Sequence, residues 1–393
     1  MGEWLMSDLF ARFGISPVIN GNGPVTRLSG GIMADEVAAA MVAASRVTVD
    51  MWDLQAAACR VIARATGAEA GIVTSGASAA ILLGAAACLA GLDPGRMNRL
   101  PEVADDRRDF IVVRSQRNMY DRALLVAGGR IVEVGIPDRF SGPGVRDADA
   151  WEIADAITPR TAGIYYLAQP QSLPALPAVV EVARAARIPV LVDAAAQLPP
   201  AENLRRFLTE GADLVAFSGG KAIGGPQASG ILAGRADLVS SALIQMLDMD
   251  VMPAAFRAPT EFGALNQMRG LPQHGVGRSC KVGKEEIFAL MVALERFAGM
   301  DAAARRSAWH AVLQRIMGAA RLPAGRTLAI IDGEVPLLTV TDPDPSGLQA
   351  RLAAHDPAIH VRRVGDGLLI SPVALAVDAA PDTAAIISSA LSA

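Results

Sequence analysis

Lys221 stands in the run Asp213-Leu-Val-Ala-Phe-Ser-Gly-Gly-Lys221-Ala-Ile-Gly-Gly-Pro-Gln227, where a short apolar strand feeds a glycine-rich turn that presents one lysine. Glycine lets a backbone approach a bound group closely and adopt positive φ. A lysine held in such a turn is partly desolvated, which lowers its pKa and favours the neutral amine that an imine with a carbonyl requires. Ser218 is placed to offer its hydroxyl to a phosphate. Taken alone, the segment has a surface lysine in a flexible loop as its plain alternative.

Asp193 narrows the choice. It ends the strand Pro189-Val-Leu-Val-Asp193, one strand and one helix before Lys221 and 28 residues away (221 − 193). A carboxylate at the carboxyl end of a parallel strand lies on the edge where open α/β sheets bind ligands. By itself it could cap a helix instead. Ser75-Gly76-Ala77-Ser78 opens the most apolar helix, and free N–H groups at a helix start suit a phosphate. A plain capping role for Ser75 is the alternative. Together, an amine for an aldehyde, a carboxylate for a ring nitrogen and a phosphate cradle imply pyridoxal 5′-phosphate (PLP) and chemistry at the α-carbon of an amino acid.

Alternating helices and buried strands must position these groups. Leu54–Thr66 reads as a helix stopping at Gly67, and 178–187 and 202–210 carry helical spacing. Strands are expected at 71–74, 109–114, 131–134, 163–167, 189–193 and 213–217. Runs of four or five apolar residues between helices indicate parallel strands buried on both faces, hence an α/β sheet with right-handed crossovers. The pattern turns irregular from about 243 to 277, a strong helix follows from Gly283 to Phe297, and the last third reads as a smaller α+β domain. The expected division is an N-terminal segment, 1–45, contributing to the active-site rim and small domain; a large PLP-binding domain, 46–255; and the interdomain connection with the C-terminal small domain, 256–393.

Composition bounds the partners. The 393 residues carry a net charge of −4, so no basic face for nucleic acid is expected. Three cysteines, far apart, and four histidines without an H-E-x-x-H pair indicate no disulfide framework and no metal site. The apolar run from Ala77 to Leu92 is 16 residues, short of the roughly 20 that span a bilayer, so no membrane partner is expected. The first residues, with Glu3 and Asp8, lack the basic stretch of a secretory signal, and a cytoplasmic location is expected.

The string from Phe217 to Gln227, followed by Ser229-Gly230-Ile-Leu-Ala-Gly234, resembles the PLP-lysine motif of bacterial selenocysteine synthase and its relatives. Val18-Ile19-Asn20, Thr66-Gly-Ala-Glu-Ala70, Val192-Asp-Ala-Ala-Ala-Gln-Leu-Pro-Pro200, Gly277-Arg-Ser-Cys-Lys-Val-Gly-Lys-Glu-Glu286 and Arg363-Val-Gly-Asp-Gly-Leu368 look like the branch containing D-glucosaminate-6-phosphate ammonia-lyase. The resemblance covers most of the chain. It implies a type I PLP-enzyme (aspartate aminotransferase-like) fold, a large domain with a mostly parallel sheet flanked by helices plus a smaller α+β domain, normally at least a homodimer.

Carried over residue by residue, it makes Lys221 the Schiff-base lysine and Asp193 the partner of the pyridinium nitrogen. Ser75, Gly76, Ala77, Ser78 and Ser218 fall on the phosphate side, and Gln197 joins the cofactor-binding set. Gln116 falls where many relatives have a histidine stacked on the ring; an amide can lie flat there but cannot donate a proton near neutral pH, and the residue also reads as an ordinary loop position. Arg363 is the candidate for the substrate carboxylate, because a guanidinium recognises it bidentately; Arg362 competes, and a solvated strand position is the plain alternative. Arg278 and Lys281 could reach an anionic group of cofactor or substrate, or cap the following helix. Asn20 is assigned to the active-site rim. The resemblance implies a lyase that eliminates a β-hydroxyl or other β-leaving group from an amino acid, giving a 2-keto acid and ammonia. An amino-acid racemase or epimerase, or an aldolase, is the alternative, ahead of a selenium transferase or an inactive PLP-fold scaffold.

Overall fold

The computed structural model describes residues 9–102, 107–136, 146–247, 252–375 and 381–393. It divides into two compact units, one formed by residues 1–34 and 300–393, the other by residues 35–299.

The smaller unit takes β1 (Ile19–Asn20) and the turn Thr26–Leu28 from the N-terminal segment and its remaining strands from the C-terminal one. In the larger unit the strands are β2 (Ala70–Thr74), β3 (Asp109–Val113), β4 (Arg130–Val134), β5 (Thr161–Leu167), β6 (Val190–Asp193), β7 (Leu214–Ser218) and β8 (Gly230–Gly234). They form one seven-stranded sheet in the order β2-β8-β7-β6-β5-β3-β4. β7, β6, β5, β3 and β4 run parallel, and β8 is antiparallel to both its neighbours, β7 and β2. β2 therefore points the same way as β7. The central strands are buried end to end, as the apolar runs require.

Helix Met51–Thr66 is capped at its start by the Asp50 side chain and stopped by Gly67 in the left-handed conformation. Helix Ala77–Ala90 is apolar all round and accordingly buried along nearly its whole length. It lies on β6 and β7 so closely that a Cβ on Gly84 would come within 2.9 Å of Leu191 and 3.4 Å of Leu214.

In the smaller unit β9 (Thr327–Ile331), β10 (Leu337–Thr341), β12 (Arg362–Val364) and β13 (Gly367–Ile370) make a four-stranded sheet, while β1 pairs in parallel with β11 (Ile359–His360). Helices Ala302–Ala319, Pro345–Ala354 and Pro381–Ser392 accompany them, and Leu313, Leu338, Val340, Leu348 and Ile387 form the centre of its core. The buried Arg326 guanidinium, paired with Asp342, also donates to the Leu391 carbonyl and so ties the last helix to the sheet.

The division differs from the expected boundaries at 45 and 255. Helix Asp35–Ala44 packs against helix Lys284–Gly299, which packs in turn on Met51–Thr66, so both belong to the larger unit. Among the described residues no helix is long and apolar enough to cross a membrane. Gly84→Val should cost about 1–3 kcal/mol of stability by overpacking the helix–sheet seam. Urea denaturation measures it as a lower midpoint at unchanged slope.

Candidate PLP site

Strand register builds the site. Side chains alternate faces along a strand, so the aligned residues Thr74, Gly230, Ser218, Ala216 and Asp193 share one face of the sheet. Gly84 meets the sheet at Leu191 and Leu214, which lie two residues before Asp193 and Ala216, so helix Ala77–Ala90 crosses that same face. Its first turn lies directly over Gly230, where a Cβ would stand 2.4 Å from the Gly76 carbonyl carbon and 2.6 Å from the Ala77 nitrogen. Only glycine at 230 admits this approach.

The start of that helix is open. Its first internal bond runs from the Ala80 N–H to the Gly76 carbonyl at 3.0 Å, and no side chain caps it. The N–H groups of Ala77, Ser78 and Ala79 thus face outward with the positive end of the helix dipole. Gly76 takes φ 134°, and a Cβ there would meet nothing within 4 Å. Ser218 lies one strand over, aligned with Gly230 as Thr74 is on the other side. Ser75, Gly76, Ala77, Ser78 and Ser218 therefore border one space with free donors.

After Ser218 the chain makes the turn that carries Lys221. The Gly219 N–H donates to the Ser229 carbonyl and the Gly225 N–H to the Gly219 carbonyl, both at 2.9 Å. A Cβ at Gly219 or Gly220 would collide with Ser229 Oγ at 2.2 Å or Gln227 Cα at 2.5 Å. The two glycines let the turn fold back on itself. Burial pushes the Lys221 amine below its ordinary value, with the Asp193 charge opposing.

Asp193 is 3% exposed and accepts hydrogen bonds from the Tyr165 hydroxyl at 2.9 Å and from the Ala195 N–H at 3.0 Å. Burial raises its carboxyl above the usual range, while the Ala195 N–H, Tyr165 and the Lys221 charge pull it back down. Tyr165 escaped the sequence reading. It lies in the apolar run of β5, and its alignment with Leu191, two residues before Asp193, sets its hydroxyl diagonally across to the carboxylate. A tyrosine two residues before the end of a strand adjoining a strand-end aspartate is the signal that was there to find.

The remaining candidates are distributed more widely. Gln116, just beyond β3, is 2% exposed; its Oε1 accepts from the Leu167 N–H at 3.0 Å and its Nε2 donates to the Leu173 carbonyl at 3.2 Å. The amide thus ties the end of β5 to the loop after it. Gln197 follows β6, where its N–H bonds the Ala194 carbonyl and its carbonyl accepts from Asn203. Arg278 sits in a short 3-10 turn, Val276–Cys280, that also contains Gly277, where a Cβ would stand 2.2 Å from the Leu83 side chain of helix Ala77–Ala90; Lys281 follows it and is exposed.

Asn20 and Arg363 belong to the smaller unit. Both N–H bonds of the Asn20 amide are used within its own loop, to the carbonyls of Gly23 and Gly30 at 3.0 Å, and its Oδ1 accepts from Asn22. That closes the loop and leaves no amide donor for a ligand at an active-site rim. Arg363 is exposed on β12, with Ser346 as its hydrogen-bond partner; Arg362 is exposed on the same strand. A separate cleft of about 600 Å³ on the larger unit is bordered by Arg64 and Glu295, which pair with each other at 2.9 Å. It holds none of the groups described above.

The described groups fit PLP chemically: a desolvated amine for the aldehyde, a buried carboxylate for the ring nitrogen, and outward N–H groups with hydroxyls for the phosphate.

Comparison with known proteins agrees. Residues 178–258, a span containing both Asp193 and Lys221, match the family model described as SelA, L-seryl-tRNA selenium transferase. A 5′-C-glycyluridine monooxygenase-decarboxylase of Streptomyces sp is 31% identical over 380 residues, 90% of this chain and 84% of that protein. The D-glucosaminate-6-phosphate ammonia lyase of Salmonella typhimurium is 28% identical over 298 residues, 74% of this chain and 70% of that one. A solved structure of D-glucosaminate-6-phosphate ammonia-lyase superposes with a TM-score of 0.76 at 25% identity, covering 98% of this chain and 96% of that one. Serine palmitoyltransferase from S. paucimobilis shares the fold, with a TM-score of 0.52, 12% identity and coverage of 95% and 86%. These likenesses bear out the expected type I fold, the expected cofactor and the resemblance read from the lysine motif.

Two outcomes follow for the apo-protein. Because only the neutral amine attacks an aldehyde, PLP uptake should rise with pH and level off below the ordinary lysine value of 10.5; stopped-flow absorbance across pH measures the midpoint. Gly230→Ala should raise the PLP dissociation constant about tenfold by forcing the 75–78 turn off β8, as fluorescence titration reads.

Proposed function

This chain belongs to the selenocysteine synthase-like family of PLP-dependent enzymes, and from that premise we propose that it is a lyase eliminating a β-hydroxyl or similar β-leaving group from an amino acid, with a 2-keto acid and ammonia as products. The observation that carries the reading is the pairing of a desolvated Lys221 with a buried Asp193 at the carboxyl edge of the sheet. The likeness to the ammonia-lyase, in sequence and along nearly the whole fold, supports this reaction over the others open to such a site.

PLP supplies an electron sink for the pair released when a bond to the α-carbon breaks. The protein's own groups do the rest. Lys221, neutral at lower pH than an ordinary lysine, would hold the cofactor and, when free, would be the base that takes the α-proton. Returned by Lys221 to the departing β-oxygen, that proton leaves as part of water. The second water that enters on hydrolysis releases ammonia, so the net change is one β-hydroxy amino acid to one 2-keto acid and one ammonia. Asp193 would hold a proton on the cofactor's ring nitrogen, and the outward N–H groups of residues 77–79 would hold its phosphate. Gln116 carries no acid, so Lys221 is left to handle both proton steps.

A second reading is favoured by the relative that spans 90% of the chain, which is named for oxygenation and decarboxylation. On that reading the bond broken at the α-carbon is the one to the carboxylate, and dioxygen is the co-substrate.

One panel distinguishes them. Purified holoenzyme is incubated with D-glucosaminate-6-phosphate, small β-hydroxy amino acids of both hands and a glycyl-substituted nucleoside, with and without air. The elimination reading expects equal amounts of keto acid and ammonia whether or not oxygen is present. Oxygen uptake with carbon dioxide release would replace it with the second reading. α-Deuterium exchange with no ammonia would make the enzyme a racemase.

A further inference from the structure

The polar chain behind Asp193 starts at the turn after β3, which lies on the same carboxyl edge of the sheet. In the segment after β3, the buried Asp121 carboxylate accepts from the Asn118 N–H at 3.1 Å and pairs with Arg117. Asn118 Oδ1 accepts from the Tyr120 N–H at 2.7 Å. Both bonds pin Asn118, whose Nδ2 points at the Tyr165 hydroxyl at 3.5 Å. Tyr165, 1% exposed, donates in turn to Asp193 Oδ2. The link therefore runs from β3 through β5 to β6, three strands that are neighbours in the sheet.

We propose that Tyr165 is a positioning residue: held by Asn118, its hydroxyl orients the Asp193 carboxylate toward the ring nitrogen of PLP. The proposal rests on the reading of Asp193 and Lys221 as the cofactor site. A carboxylate on a strand can rotate about its last bond, and each rotamer offers a different oxygen to a ligand. Here Oδ1 is held by the Ala195 N–H and Oδ2 by Tyr165, so both oxygens are fixed and each keeps a lone pair for a further donor. The groups that bear on Asp193 are Tyr165 on β5, the Ala195 N–H after β6, and Lys221 beyond β7. Burial and the Asp193 charge push the Tyr165 phenol upward, so Tyr165 keeps its proton and acts only as donor. Loss of that donor leaves a buried carboxylate with one partner fewer, which favours its protonated form. A protonated Asp193 cannot hold a proton on the ring nitrogen.

The test uses Tyr165→Phe, which keeps the ring in the core and removes only the oxygen, with Asn118→Ala at a half-buried turn as the second variant. Wild type and variants are freed of cofactor and titrated with PLP. Tyr165→Phe should bind PLP about tenfold more weakly, in line with loss of a hydrogen bond to a charged group. Its visible band should also change form at a higher pH, since a ring without positive charge leaves the lysine–cofactor linkage more basic. Asn118→Ala should move both quantities in the same direction by less, and it carries the measurement if Tyr165→Phe does not fold. Variants matching wild type in both affinity and band midpoint overturn the proposal alone. A wild type that takes up no PLP overturns the site reading and the proposal with it.

Discussion

The site depends on two titratable groups desolvated at one sheet edge. Burial alone would neutralise both, pulling Lys221 down and Asp193 up. Each group's charge opposes the shift of the other. For both groups burial is the largest influence, and on the carboxylate the hydrogen bonds from Ala195 and Tyr165 offset part of it. A nucleophilic amine beside a charged carboxylate is the combination that a PLP enzyme needs: the amine to bond an aldehyde, the carboxylate to keep a ring nitrogen protonated.

Backbone geometry then sets the third contact. β8 runs against its neighbours, so its first residue, Gly230, aligns with the last residues of both β2 and β7. That alignment brings the turn out of β2 and the turn out of β7 to the same place. The absence of a side chain at Gly230 lets the start of helix Ala77–Ala90 settle on the sheet, and Gly84 lets the rest of the helix follow over β6 and β7. Free N–H groups, Ser218 and Asp193 consequently share one face.

Much of this was legible in the sequence. Lys221 announced itself through a strand–glycine turn, Asp193 through its place at a strand end, and the parallel sheet through apolar runs separated by helical spacing. These are local signals. What stayed hidden depends on pairing across the chain. Tyr165 reads as a strand former in Gly163-Ile-Tyr-Tyr-Leu167, and only register against β6 turns it into a partner of Asp193. Gln116 finds its partners 51 and 57 positions away, at Leu167 and Leu173. Helices Asp35–Ala44 and Lys284–Gly299 are partners in space at opposite ends of the larger unit's sequence, a pairing that local patterning does not reveal. The Asn20 amide closes the loop that follows it through the Gly23 and Gly30 carbonyls, a role its place in the sequence does not show.

The chain has three lysines, Lys221, Lys281 and Lys284, which makes the central claim unusually easy to examine. Lys281 is exposed, and Lys284 pairs with its neighbour Glu285. Holoenzyme treated with borohydride, digested and mapped by mass spectrometry fixes the cofactor irreversibly to whichever amine held it. The account predicts one pyridoxyl phosphate group per chain, on the peptide containing Lys221. Attachment to Lys281 or Lys284, or a fully reduced protein with no adduct on Lys221, would contradict it.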